Sequence, residues 1–298
     1  MQTQPYLLQA LSPLHAGTGQ ALDIIDLPIA RMRATGIPIV PGSSIKGVLR
    51  DARRSGNGGA PPKDALLAVF GPEQTDDTSA HAGALVVGDA HLLALPVRSF
   101  RGTVAWVTCP LLLELARRDL RGVAGLPGSF SLPSGNCARV AEGSLNLHTV
   151  GQGTKVYFED LDLPAGADAA ATEWARFLAG LLFADGGERQ VFEKRFAVVD
   201  DETMTFLWET ATQVDTRVRL DPKTRTVAKG ALWTEESLPA ETVLLGLIAA
   251  DRSRKPGQED LKPAGVLKVA LPGEETLQFG GKATVGRGRC RMVPISLN

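Results

Sequence analysis

Cysteine is scarce. The chain holds three, Cys109, Cys137 and Cys290, with no CxxC spacing and no histidine placed to complete a ligand set. Neither a zinc cluster nor a disulfide framework is expected, and a reducing cytoplasm fits. An excess of one charge is also missing: 32 Lys and Arg stand against 33 Asp and Glu, a formal net charge of −1 over 298 residues. That excludes a uniformly basic nucleic-acid binder, so any contact with nucleic acid must come from local patches. No apolar run reaches the roughly 18 residues that a membrane-spanning helix takes, and no membrane partner is expected. The opening MQTQPYLLQALSPLHAG has no basic stretch ahead of a long apolar one, so no secretory leader is expected. The GxxxxGK[ST] order, a GxGxxG with a ribose-binding acid behind it, HExxH and GxSxG are all absent. Nucleotide cofactors and peptidase or esterase chemistry therefore have no motif behind them.

What is present is an ordinary apolar content of 44% with 22% charged residues, enough for a sizeable core. The 32 glycines and 19 prolines make a loop-rich chain. Tyr6, Leu8 and Ala10 alternate with Leu7, Gln9 and Leu11, which predicts a first strand ended by Pro13. A glycine turn, His15 to Gly19, leads into an extended stretch from Asp23 to Arg33. A helix follows, with Gly42-Ser43-Ser44 at its start and Ile45, Val48, Leu49 and Ala52 on one face. Further expectations are strands over 84–93, 103–108, 203–212 and 242–250, helices over 110–121 and 168–183, Gly- and Ser-rich turns over 122–144, a hairpin over 213–231, a solvated loop over 252–263 and a final strand in CRMVPISL. Strands at both ends, a helix after the first and long insertions between suggest an α+β sandwich with a βαββαβ core.

Three segments are locally basic. The helix carries Lys46, Arg50, Arg53 and Arg54. The hairpin carries Arg217, Arg219, Lys223, Arg225 and Lys229 against Asp215 and Asp221. The C-terminal stretch carries Lys282, Arg287, Arg289 and Arg291 with no acid in 280–291. Each could be a solvated charged face. The glycines favour phosphate contacts at two of them: the start of a helix offers free N–H groups to an anion, with Lys46 one turn in, and Gly280, Gly281, Gly286 and Gly288 allow close backbone approach.

Among the acids, Asp26 stands out inside Ile24-Ile25-Asp26-Leu27-Pro28-Ile29, where a carboxylate needs a reason. It is either an ion-pair partner of Arg31 or Arg33, or a catalytic or metal-binding acid at a loop surface; Asp23 is its nearby competitor. His15 is either a loop-holding residue or a proton carrier and RNA contact. His81, His91 and His148 share no ligand spacing and read as structural. Glu235-Glu236, just after the hairpin, is either surface charge or a source of one acid or base.

Taken in order, PLHAGTG (13–19), DLPIAR (26–31), IPIVPGSSIKGVLRD (37–51) and GGKATVGRGRC (280–290) resemble the RAMP superfamily of CRISPR-associated proteins. Within it, 86–114 and 216–239 resemble the backbone subunit of the type III-B (Cmr) effector complex, and the similarity runs along essentially the whole chain. The resemblance implies a single domain over 1–298 with a ferredoxin-like, RRM-like palm, helical fingers and a thumb hairpin at 213–231. It implies copies stacked in a filament on CRISPR RNA with other Cmr-type subunits, and regular cuts in complementary single-stranded target RNA. Asp26 matches the family's catalytic aspartate, His15 its first-loop histidine, and Ser43, Ser44 and Lys46 its helix-start residues. Glu236, by its spacing to Leu238-Pro239, matches a glutamate after the thumb. With these go RNA contacts expected at Arg50, Arg217, Arg219, Lys282, Arg287 and Arg289, and a divalent metal, Mg²⁺ by its preference for hard oxygen ligands, at Asp26. A type III-A backbone subunit, a non-cleaving RNA scaffold and a stand-alone guide-processing endonuclease are the alternatives.

Overall fold

Strand β1 (Gln2–Ala10) is apolar on both faces. Tyr6, Leu8 and Ala10 enter one core and Leu7 a second, and all four are fully buried. A computed structural model, which describes residues 1–17, 25–54, 61–72, 81–133 and 135–297, shows the reason. β1 lies in the interior of a sheet covered on both sides. Its neighbours are β3 (Val243–Ala250) and β4 (Arg289–Pro294), both antiparallel to it, and β3 pairs in turn with β2 (Ala90–Ser99). Helix α1 (Gly42–Arg54) follows β1 in the chain and helix α2 (Pro263–Ala270) follows β3. The four strands therefore stand in the order β4-β1-β3-β2 within a βαββαβ chain path.

Both helices belong to the first core: Ile45 and Leu49 of α1 and Val266, Leu267 and Ala270 of α2 join Tyr6, Leu8, Leu244 and Ile248 of the sheet. The opposite face is covered by helices Pro110–Asp119 and Ala169–Leu182, whose Leu113, Ala116, Trp174 and Leu178 meet Leu7, Leu93 and Leu245. Alternate side chains of one strand thus feed two cores, which explains a near-continuous apolar run in place of a polar-apolar alternation. Beyond β2 the sheet continues through Thr103–Thr108, Phe196–Val199, Ala138–Val140, Leu161–Ala167, Gly153–Phe158 and His148–Val150; Glu275–Gln278 extends the other edge beside β4. A separate two-stranded hairpin, Gln213–Leu220 with Val227–Ser237, stands apart from this sheet.

Three expectations change. Residues 203–212, read as a strand, lie largely in a helix, Asp201–Thr210. Asp200 caps it, accepting from the Thr203 amide at 2.8 Å and hydroxyl at 2.7 Å, and Met204, Leu207 and Trp208 fall on one buried face at helical spacing. The cap and the period outweigh the β-favouring threonines and aromatics. The strand expected over 84–93 is two strands, Leu85–Val87 and β2, separated at Gly88-Asp89. The hairpin's return strand runs on to Ser237. Helices Lys63–Phe70, Gly186–Glu193 and α2, and the short strands between 138 and 167, had no distinct signal. All are brief, and their burial depends on partners distant in sequence.

Candidate functional site

At the end of β1 the chain turns through Pro13 and pairs by Leu14 with Leu238, each amide donating to the other's carbonyl at 2.8 and 2.9 Å. This sets His15 beside the base of the hairpin, with its Nδ1 2.6 Å from the Glu236 carbonyl oxygen. A carbonyl only accepts, so Nδ1 carries the proton, and in the neutral ring Nε2 is the acceptor. The C-terminal glycine loop closes over the same turn: Gly281 donates to the His15 carbonyl at 3.1 Å and Gly288 to that of Pro13 at 2.8 Å. Two of the three glycine segments singled out in the sequence are therefore one structure. Thr18, Gly19 and Asp23 lie outside the described residues.

The stretch bearing Asp26 docks on the hairpin's return strand. Leu27 donates to the Thr234 carbonyl at 3.1 Å and accepts from the Glu236 amide at 3.0 Å, a short parallel pairing. Asp26 is exposed, so its carboxylate is not buried in the apolar run that surrounds it in sequence. It has no ion pair with Arg31 or Arg33. Instead its Oδ2 accepts from the Thr234 amide at 2.8 Å and hydroxyl at 3.0 Å, while its own amide donates to that hydroxyl at 3.1 Å. The Thr234 amide bond, then its hydroxyl, hold the Asp26 carboxyl below the usual carboxylate range. Oδ1 has no partner among the described residues. The result is an ionised, oriented carboxylate with one oxygen facing solvent.

The neighbouring glutamates behave differently from expectation. Glu236, read as a candidate acid or base, is 2% exposed. Its Oε1 accepts from Arg31 at 2.6 Å and Thr212 at 2.9 Å, and its Oε2 from the Ile29 amide at 3.0 Å. Both oxygens are engaged, so the side chain fastens the Asp26 segment to the hairpin base. Arg31, whose guanidinium also reaches the carbonyls of Trp208 and Gly36, is the partner of Glu236 and not of Asp26. Glu235 projects to the other side of the strand. Its Oε1 meets Lys282 and the Trp233 ring N–H, each at 2.7 Å, and its Oε2 lies 3.4 Å from Arg217. Burial pushes its carboxyl up, but the Lys282 and Trp233 bonds outweigh that and leave it lowered.

The expected basic track is partly neutralised by the fold. Arg287, 7% exposed, pairs with Asp215 and donates to the Ser237 hydroxyl. Lys282 is tied to Glu235, and Arg217 to both Glu235 and Asp215. These cations brace the hairpin against the glycine loop. Arg287 in particular has two of its nitrogens taken up by Asp215 and Ser237. Arg219 and Arg289 are exposed, with no side-chain partner among the described residues.

At the start of α1, Ser43 and Ser44 are exposed, and neither side chain has a partner among the described residues. The Gly42 amide is taken by Asp89 at 2.8 Å, so a carboxylate already holds one of the N–H groups expected to be free. A side chain at Gly42 would overlap the Val87 carbonyl, which accounts for glycine there. Lys46 donates to the Leu85 carbonyl at 3.0 Å; burial first, and Arg50 second, lower its ammonium. Arg50 donates to the carbonyls of Phe70 and Gly71 at 2.5 and 3.3 Å and stacks on the Phe70 ring. It therefore caps the end of helix Lys63–Phe70 while remaining partly exposed. Among the described residues no three His, Cys, Asp or Glu side chains are grouped to hold a metal. Asp26 offers one carboxylate oxygen, too little for a protein-built cage.

The sequence reading missed Thr234. Its partner Asp26 lies 208 positions away, and nothing local in Trp233-Thr234-Glu235 marks the contact.

An α+β chain in which a glycine-rich first turn, a C-terminal glycine loop and an exposed aspartate converge at a hairpin base defines a class. The RAMP superfamily model matches residues 7–291, and the chain belongs to that superfamily. Within it, the chain is 31% identical over 283 residues, 94% of its own length and 92% of the relative's, to the CRISPR system Cmr endoribonuclease Cmr4 of Pyrococcus furiosus. The crystal structure of oligomeric Cmr4 from Pyrococcus furiosus superimposes with a TM-score of 0.72 at 27% identity, over 100% of this chain and 99% of that one. A chain in the cryo-EM structure of the type III-B Cmr-beta complex bound to cognate target RNA shares the fold, with a TM-score of 0.73 at 19% identity over 99% and 97%.

Proposed function

We propose that this protein is the repeated backbone subunit of a type III-B CRISPR effector complex, which holds CRISPR RNA and cuts complementary target RNA at regular intervals. The observation that carries the reading is the Asp26 carboxylate, exposed, ionised and fastened to the hairpin base. The strand order β4-β1-β3-β2 with both helices on one face supports a ferredoxin-like palm. In this reading the helical insertions are the fingers and the hairpin Gln213–Ser237 is the thumb. The partners are guide RNA, target RNA, further copies of the chain and the other Cmr-type subunits, in the cytoplasm.

In the mechanism proposed, the thumb splays a target nucleotide so that its 2′-oxygen lies in line with the adjacent phosphorus. The 2′-oxygen gives up its proton and forms the new bond to phosphorus as the bond to the 5′-oxygen breaks; the leaving oxygen takes a proton from water, giving a cyclic phosphate and a 5′-hydroxyl. The free Oδ1 of Asp26 is the atom placed either to accept the 2′-proton or to anchor a divalent cation. His15, its Nδ1 held by Glu236, presents Nε2 as the second polar group. A divalent metal there would be held by the Asp26 carboxylate, with RNA oxygens and water completing its shell, and would supply charge stabilisation at the scissile phosphate. Chelation by EDTA is expected to stop cleavage while target binding persists, with Mg²⁺ restoring it. Cleavage that continues in EDTA would assign the proton to Oδ1 instead.

Reconstitution tests the function. The chain assembled with guide RNA and its partner subunits should yield a ladder of evenly spaced target fragments; a single cut, or none, would overturn the reading. Ser43, Ser44 and Lys46 form the proposed guide grip. Lys46→Ala should weaken guide binding and reduce the slope of log affinity against log salt by about 0.7–0.9, the contribution of one phosphate contact. An unchanged slope would remove Lys46 from the grip.

A further inference from the structure

We propose that the Thr234 hydroxyl is a positioning residue for cleavage, the part that couples the attitude of the Asp26 carboxylate to the seating of the hairpin. This rests on Asp26 being the catalytic carboxylate. The argument begins with the double use of one oxygen. Thr234 Oγ1 accepts from the Asp26 amide at 3.1 Å and donates to Asp26 Oδ2 at 3.0 Å. With the Thr234 amide on the same Oδ2 at 2.8 Å, backbone and side chain of Asp26 are both gripped by one residue. An exposed aspartate would otherwise sample several side-chain rotamers. Two donors on one oxygen remove that freedom and turn Oδ1 outward.

The grip also has a direction. Thr234 sits where the hairpin strands still pair, opposite Thr216, and Asp26 lies beside its return strand. Glu236 and Arg31 fasten the downstream end of the Asp26 segment, and Glu235 with Lys282 and Arg217 fixes the other face of the strand. The Asp26 carboxylate itself touches none of these charged groups among the described residues; its only side-chain contacts there run through Thr234. A shift of the hairpin base on target engagement therefore moves the catalytic oxygen with it. A misplacement of about 1 Å at a reacting group can cost on the order of 100-fold in rate.

The test is single-turnover cleavage and target-RNA affinity in the assembled complex. Thr234→Val keeps the shape and the backbone amide but removes the hydroxyl; Thr234→Ser restores it; Asp26→Ala is run beside them. Expected is a cleavage rate lowered by about 10- to 100-fold in the valine variant, target affinity within twofold of wild type, and a serine variant close to wild type. Wild-type cleavage by Thr234→Val with Asp26→Ala inactive would overturn the role of Thr234 alone. A common loss of target binding in the valine and serine variants would reduce Thr234 to a hairpin-stability residue and also overturn it. Full cleavage by Asp26→Ala would instead sink the catalytic reading, and the Thr234 role with it.

Discussion

Asp26→Ala in the assembled complex is expected to lower target cleavage by about 10²–10⁴-fold, while guide and target remain bound. The reasons are geometric. Asp26 is exposed and shares no ion pair, so its loss leaves no buried charge behind. What disappears is one outward oxygen and two hydrogen bonds to Thr234. Asp26→Asn is the sharper variant: it keeps the size and one acceptor but not the charge, and the same loss is expected. The measurement is fragment yield against time with a matched target, alongside target affinity. Retained cleavage at normal affinity removes Asp26 from the reaction. The sign of the pH dependence follows from the lowered carboxyl. Its folded value lies below the unfolded one, so the ionised form persists to more acid pH than an ordinary aspartate allows. Cleavage that needs ionised Asp26 should fall only as pH drops through that lowered value.

The second large effect is structural and is expected at Gly280. Its backbone sits at φ +67°, and a methyl group there would overlap the His15 carbonyl oxygen, the same oxygen that accepts from Gly281. Gly280→Ala has to bear both the left-handed conformation and the clash, about 2–5 kcal/mol together. The two loops cannot part without releasing His15 from its seat, so the change should disturb the site as well as lower the unfolding midpoint. For a chain of this size each kcal/mol corresponds to roughly 1.5–2 °C, and a drop of about 3 °C or more is expected by thermal melting. An unchanged midpoint would show that the glycine loop does not brace the first turn.

The individual elements of the site were legible to different degrees. His15, Asp26, the start of α1 and the terminal glycines stand in compact motifs, and the helix over Gly42–Arg54 and the tight terminal loop follow from theirs, although Ser43 and Ser44 make no side-chain cap. The helix at Asp201–Thr210 differs from the strand expected over 203–212 because the Asp200 cap and the helical spacing of its buried residues outweigh a β-favouring composition. The partners of Glu236 and Arg287 are not legible in the sequence for a different reason. Within their own segments each is a charged residue without a local partner, which reads as available. Their partners, Arg31 and Asp215, lie in other segments, and only the register of the hairpin and the closing of the glycine loop bring them together.

That contrast separates what the chain encodes locally from what the fold decides. The sequence by itself determined the order of the motifs, the apolar β1, the family and the residue types at the site, because caps, turns and periodic burial act over a few neighbouring residues. Tertiary structure alone decided which charges remain free. A cation's availability depends on whether an acid is brought within bonding distance, and here those acids come from strands and loops remote in sequence. It likewise decided that Asp26 faces solvent, held by a threonine 208 positions away whose hydroxyl both accepts from and donates to it.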